Sequence, residues 1–337
     1  MISRLFRYPD GVLPNAAAFC VILLGWPMGV ALLIQPFWAG KIAGVFMVTL
    51  ALVWSAYFVH EFSHLTIFRS AQTNRRWGTL MCWINGSCYA TFDRLRGKHM
   101  RHHVERADVL TFDVKAFLLS APAPLRRTVL ALEWAYFPAV EFLMRGLVLS
   151  LPFSRRQRLA CLRVCAILGL RCAAFAGLAW LSPAAAALYF LAYVMFITVL
   201  RFADCFQHTY DAHFLLDDAP LPGDTARDRA YEQTNTYSDI VGLDQRWLNL
   251  LWLNFGFHNA HHEKPATPWH QLPALHRTLY PQPCTQVIPV RSLLKSFHVH
   301  RVDRILAPHY GQVLPHGVAN RADGFLGAVG VSFLTAV

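Results

Sequence analysis

Charge is scarce in this chain. Only 15% of its 337 residues are Asp, Glu, Lys or Arg, against roughly 25% in an ordinary soluble domain, while 55% are hydrophobic and the mean hydropathy is +0.32. That shortage excludes an ordinary soluble enzyme of this length. No CxxC occurs among the eight cysteines, Cys20, Cys82, Cys88, Cys161, Cys165, Cys172, Cys205 and Cys284. They read as small buried hydrophobes in a reducing compartment. No small-residue cleavage motif follows the first apolar run, where Gln35, Pro36, Phe37 and Trp38 stand instead. Arg4 and Arg7 therefore precede a retained span, not a removable signal. Internal repeats and low-complexity tracts are also lacking.

What the chain does have is apolar length. Four stretches, 16–34, 42–59, 164–181 and 183–200, each run to about 18 or 19 residues, near the lower limit for crossing a hydrocarbon core about 30 Å thick. The connectors 35–41 and Ser182 are short, so the spans pair as two transmembrane helical hairpins with both termini and the central segment on one side. Of the 31 Lys and Arg residues, 29 fall on that side, which makes it cytoplasmic; the expected location is a bacterial inner membrane. The net charge of +11 is dispersed, with Arg126, Arg127, Arg155, Arg156 and Arg158 beside apolar segments. Anionic membrane lipid is the partner this implies, not nucleic acid.

Two further apolar segments are interrupted. Residues 77–92 contain Asn85, Gly86 and Ser87, and 129–151 carries Glu133, Glu141 and Arg145. Charge is costly in lipid, so both read as helices in the interface or packed under a cytoplasmic cap. A fifth span at 129–151 would invert the second hairpin and is the alternative. Residues 217–229, rich in Asp, Pro and Gly, read as an exposed loop. Residues 1–275 form one membrane domain, and 276–337 are expected to be a cytoplasmic tail, partly disordered.

Histidine supplies the chemistry. His60 and His64 form HxxxH; His99, His102 and His103 form HxxHH; His258, His261 and His262 form HxxHH again; His208 stands alone. Residues three and four apart share a helix face, so each cluster presents two or three imidazoles to one point. Neutral imidazole is the commonest transition-metal ligand, and nine suffice for two ions. The remaining histidines, His213, His270, His276, His298, His300, His309 and His316, lack this spacing and read as surface or packing residues. The spans themselves lack histidine, which argues against a metal-transport path through the membrane.

The ordered set HxxxH, HxxHH, HxxHH at the ends of two predicted hairpins resembles the integral-membrane fatty acid desaturases and their hydroxylase and ketolase relatives, over roughly residues 16 to 275. The resemblance implies an all-α integral membrane fold whose helical cytoplasmic cap holds a histidine-rich di-iron site. It implies His60, His64, His99, His102, His103, His258, His261 and His262 as ligands of two iron ions, with His208 in the place of the family's lone histidine. Asp204 stands where some relatives have an asparagine. Glu61, Glu105, Asp108, Asp204 and Glu263, near the clusters in sequence, are expected to accept hydrogen bonds from ligand imidazoles; Asp113 is a further nearby carboxylate.

The implied reaction is the O₂- and electron-dependent introduction of a double bond into an acyl chain. With no haem-binding cytochrome signature at either end, electrons must come from a separate ferredoxin or cytochrome system. The acyl group rides on lipid, coenzyme A or carrier protein; Trp54, Trp83, Trp252 and Trp269 are candidate walls of its tunnel. Two other readings stay open. A di-iron hydroxylase or carotenoid ketolase shares the site, and HEFSH also satisfies the HExxH pattern of an intramembrane zinc metalloprotease with Glu61 as base.

Overall fold

The computed structural model of the protein describes residues 5–211, 213–220, 227–242, 246–281, 284–314 and 321–337. A 3-10 turn at Pro9–Gly11 leads into α1 (Val12–Leu23) and α2 (Gly25–Ile34). Leu24 between them stays right-handed and its N–H donates to Cys20 O, so Pro9–Ile34 runs on as one apolar rod. Gln35, with extended ψ, ends it, and α3 (Trp38–Ser63) returns. Glycines bring these two helices close: a Cβ on Gly44 would stand 2.7 Å from Gly29 O. Small residues at a crossing suit lipid, where packing and not water exclusion drives association.

Helix α4 (Ala71–Asn85) starts where the Ser70 side chain accepts the Thr73 N–H and stops at Gly86, whose φ of 92° only glycine adopts cheaply. Then follow α5 (Phe92–Glu105), β1 (Asp108–Leu110), α6 (Val114–Ser120), α7 (Ala123–Trp134) and α8 (Ala139–Ser154). The second hairpin is α9 (Arg158–Leu181) and α10 (Pro183–Cys205). Beyond it lie β2 (His213–Leu215), α11 (Arg229–Thr234), a 3-10 segment at Arg246–Trp252, α12 (His258–Glu263) and α13 (Leu272–Leu279). The chain closes with α14 (Val290–Val299), α15 (Asp303–Leu306), β3 (Gly311–Leu314) and β4 (Arg321–Phe325). Strands β1 and β2 pair in parallel, β3 and β4 antiparallel.

The chain divides into two compact units. The first comprises Met1–Arg96, Leu147–Val199 and Leu334–Val337. In it, Thr49 donates to Ala192 O and Trp26 to the Tyr189 hydroxyl, each at 3.3 Å, tying the helices of one hairpin to those of the other. Arg163 reaches Cys88 O, Tyr89 O and Ala90 O, and Arg171 donates to Trp83 O at 2.7 Å. The Arg163 guanidinium, within a candidate span, thus finds its acceptors in backbone carbonyls. The second unit comprises Gly97–Gly146 and Leu200–Phe333.

Among the described residues, four helices are long and apolar enough to cross a membrane: Pro9–Ile34, Trp38–Ser63, Arg158–Leu181 and Pro183–Cys205. The protein is an all-α, multi-pass membrane protein. Each helix outruns its expected span because hydropathy stops at the first polar residue, whereas backbone hydrogen bonding continues. Helix α3, for instance, carries on through His60 and Glu61, both buried.

The stretch 129–151 breaks into α7 and α8. Tyr136 takes φ 64°, Pro138 precedes the second helix, and the Glu133 carboxylate accepts the Val140 N–H at 2.8 Å. Neither piece is among the four candidate spans. Residues after 276, expected to be a tail, contribute α14, α15 and β4, with Arg304 and Phe325 fully buried in the second unit. Part of the 217–229 loop, and His316, lie outside the described residues.

Candidate metal centre

The HxxxH pair lies at the end of α3 in the first unit, with His64 as the capping residue and the two rings 4.8 Å apart. Glu61, expected to be an acceptor, is 3% exposed; its Oε1 lies 3.4 Å from His60 Nδ1 and its Oε2 accepts the Thr66 hydroxyl at 2.6 Å.

The other seven histidines come together within the second unit in two groups. Helix α5 supplies His99, His102 and His103, α12 supplies His258, His261 and His262, and His208 follows α10. In the first group, His103 Nε2 lies 3.2 Å from both His99 Nε2 and His261 Nε2. In the second, the ligand atoms of His102, His208, His258 and His262 all fall within 4.8 Å of one another. His208 is at its centre, with Nε2 3.0 Å from His102 Nε2 and 2.8 Å from His258 Nε2.

Partners on the outer ring nitrogens set the tautomers, and these decide what the four-histidine group can hold. His102 Nδ1 lies 2.9 Å from Ala107 O, which can only accept, so Nδ1 carries the hydrogen and Nε2 a lone pair. His262 Nδ1 faces Glu232 Oε1 at 2.8 Å, with the same result. The Thr236 hydroxyl donates to Glu232 O at 2.6 Å, which leaves its oxygen to accept from His208 Nδ1 at 3.3 Å. Three Nε2 lone pairs therefore point inward, and the 3.0 Å approach of His102 to His208 brings two of them together with no hydrogen between. A cation relieves that. Nitrogens about 2.1 Å from one ion and at right angles stand roughly 3.0 Å apart, so the donor set fits a transition metal.

Burial keeps the rings in the ligating form. It pushes His102 down to about 4 and holds His208 and His258 well below the usual imidazole value, the neighbouring imidazoles adding to the latter two. Phe255 and Phe333 cover His258 and His99, with centroids 5.1 and 5.5 Å away, and exclude water from that side.

The expected carboxylates divide. Asp108 and Asp204 line a cavity of about 50 Å³ together with Lys98, His102, His208 and His258. Burial pushes Asp108 up to about 6 against the opposing hydrogen bond from the Tyr310 hydroxyl. Glu105 pairs with Arg101, and Glu263 with Arg229. Asp113 caps α6 by accepting the Ala116 N–H. A second cavity of about 460 Å³ shares Asp108 and Val331 with the first and is lined by Leu110, Phe112, Val114 and Leu119. None of Trp54, Trp83, Trp252 and Trp269 lines either cavity.

Sequence reasoning missed Glu232, Thr236, Lys98 and Tyr310. Glu232 lies 30 residues from His262, and no spacing rule links an acid in a short helix to a distant histidine.

A search of curated proteins finds no match to the chain. The profile described as Fatty acid desaturase matches residues 36–293, from the turn before α3 to the start of α14. That region contains every histidine of both groups and the HxxxH pair, and the family is a class of di-iron oxidoreductases. The chain belongs to the fatty acid desaturase family.

Proposed function

We propose that the protein is a membrane fatty acyl desaturase: a CH₂–CH₂ pair, O₂, two electrons and two protons give CH=CH and two water molecules. The observation that carries this reading is the convergence of inward lone pairs on His102, His208 and His262 in a chain of this family. His102, His208, His258 and His262 would hold one iron, and His99, His103 and His261 would be ligands of the other; His60 and His64 are the further ligands that the family pattern implies. Bound iron supplies the redox chemistry that reduces O₂ and removes two hydrogens from unactivated carbon.

The chain's own residues position and insulate. Ala107 O, Thr236 and Glu232 hold three rings in one tautomer. Phe255 and Phe333 keep water off the imidazoles. The larger cavity, apolar along Leu110, Phe112, Val114 and Leu119, receives part of the acyl chain, and the Tyr310–Asp108 hydrogen bond lies in the wall next to the histidines. Electrons come from a separate ferredoxin or cytochrome system, and the acyl carrier is a lipid, coenzyme A or carrier protein.

Acyl mass shifts in cells expressing the protein, under air and under nitrogen, test the reaction. Products two hydrogens lighter, formed only in air, are expected; an added oxygen atom identifies a hydroxylase or ketolase instead. Glu61→Gln is expected to retain O₂-dependent activity with about a 10 to 100-fold loss in rate or metal affinity, the usual cost of removing a partner of a ligand histidine. Near-total loss with metal still bound would favour the zinc protease, in which Glu61 activates water.

For topology, both termini and the central segment are cytoplasmic in a bacterial inner membrane. Cysteines introduced at positions 126 and 230 should react with an impermeant thiol reagent from the same side. Opposite labelling would overturn this arrangement.

A further inference from the structure

We propose that Glu232 selects the ligating nitrogen of His262 and that Arg106 holds Glu232 in place, making the pair a positioning device for one of the two metal ions; this rests on the two-iron reading above. Glu232 sits on α11, a helix of six residues capped by the Asp228 side chain, and it is 6% exposed. Its Oε1 is 2.8 Å from His262 Nδ1 and its Oε2 2.9 Å from Arg106 Nε. An ionised carboxylate can only accept, so it forces the hydrogen onto Nδ1 and leaves Nε2 free to bind metal.

Glu232 also lies where the two histidine groups meet. One of its oxygens and the ligand atoms of His103 and His262 fall within 4.8 Å of one another. His103 belongs to the three-histidine group and His262 to the four-histidine group, and their rings are 4.3 Å apart. Two divalent ions among neutral imidazoles bring about four positive charges into a low dielectric. Glu232 supplies a negative charge beside both groups.

Arg106 explains why the carboxylate is held so firmly. It takes φ 47°, a left-handed conformation that a residue with a Cβ adopts only at a cost. Glycine would relieve that cost but would carry no guanidinium. The turn at Arg106 directly follows α5 and does two things. It presents Ala107 O to His102 Nδ1 at 2.9 Å, and it aims the guanidinium at Glu232 and at Arg227 O, the latter at 2.8 Å. One backbone turn thus orients two of the four imidazoles of a single group, His102 directly and His262 through Glu232.

An ordinary ion pair stapling α5 to α11 would look similar, but it would weaken the fold, and both ions, alike. The test is metal binding by the full-length protein in detergent, measured by chelator competition and by cobalt(II) absorption, for wild type, Glu232→Ala, Glu232→Gln and Arg106→Gln. Glu232→Ala should bind one of two ions about 10 to 100-fold more weakly, with the other weakened much less, and alter the cobalt ligand-field bands. Arg106→Gln should shift the same ion by less. Glu232→Gln keeps shape and packing while removing the charge, and should also weaken that ion selectively, which keeps the test decisive if the alanine variant fails to fold. Equal weakening of both ions, or unchanged affinity in the glutamine variants, overturns the proposal. Fewer than two ions in the wild type would instead overturn the two-iron reading on which it rests.

Discussion

Replacing His208 by alanine is expected to leave the protein with about one metal ion per chain and no detectable turnover. The ring sits between two others, its Nε2 at 3.0 Å from that of His102 and 2.8 Å from that of His258. It is clamped by Thr236 on Nδ1 and stacked on Tyr210 at 4.4 Å. With His102, His258 and His262 it forms a group whose ligand atoms all fall within 4.8 Å of one another, so truncation removes the hub of the group. Elemental analysis of purified protein, with product formation measured in parallel, checks the result. Tyr210→Phe keeps the stacked ring and should retain both ions. Two ions and full activity in His208→Ala would show that His208 is packing and not a ligand.

The second large effect concerns folding. Arg201, 7% exposed in the last turn but one of α10, pairs with Glu133 of α7, 2% exposed. The same carboxylate accepts the Val140 N–H that starts α8. Burial drives the Glu133 carboxyl above its usual range, with Arg201 opposing that shift. Removing one partner of such a pair strands a buried charge, at about 3 to 5 kcal/mol. Arg201→Met is therefore expected to lower the thermal midpoint strongly, and adding Glu133→Gln should recover most of the loss, since the stranded charge is then gone. A double variant as unstable as the sum of the single ones would show that the pair is not coupled.

The histidine boxes were legible because their spacing is a helical property: His99 and His103 meet, with Nε2 atoms 3.2 Å apart, as any i, i+4 pair on α5 can. The four spans were legible because long apolar runs have few other uses. How the seven histidines of the second unit divide into groups of three and four was not. His102 and His103 are neighbours in sequence but project from adjacent faces of α5, so each joins a different group. Glu232 was hidden for a related reason, because its partner His262 is reached by chain folding and not by helical periodicity. Glu263, adjacent to His262 in sequence, pairs with Arg229 instead. Nearness along the chain does not identify the acid that the fold brings to His262.

The break between α7 and α8 has a consequence for how the chain is made. As it emerges, 129–151 is apolar and long enough to be tested by the insertion machinery as a crossing segment. The partner that neutralises Glu133 in the finished protein is Arg201, 68 residues later. Glu141 and Arg145 can pair with each other within α8, but until Arg201 is synthesised Glu133 confronts the bilayer without its partner, at roughly 2.5 to 3.5 kcal/mol for a central charge. The Glu133 charge that ends up paired inside the folded protein thus opposes entry of the segment for as long as it is unpaired. A 129–151 segment kept out of the bilayer and one that crossed it would thread the second hairpin in opposite directions.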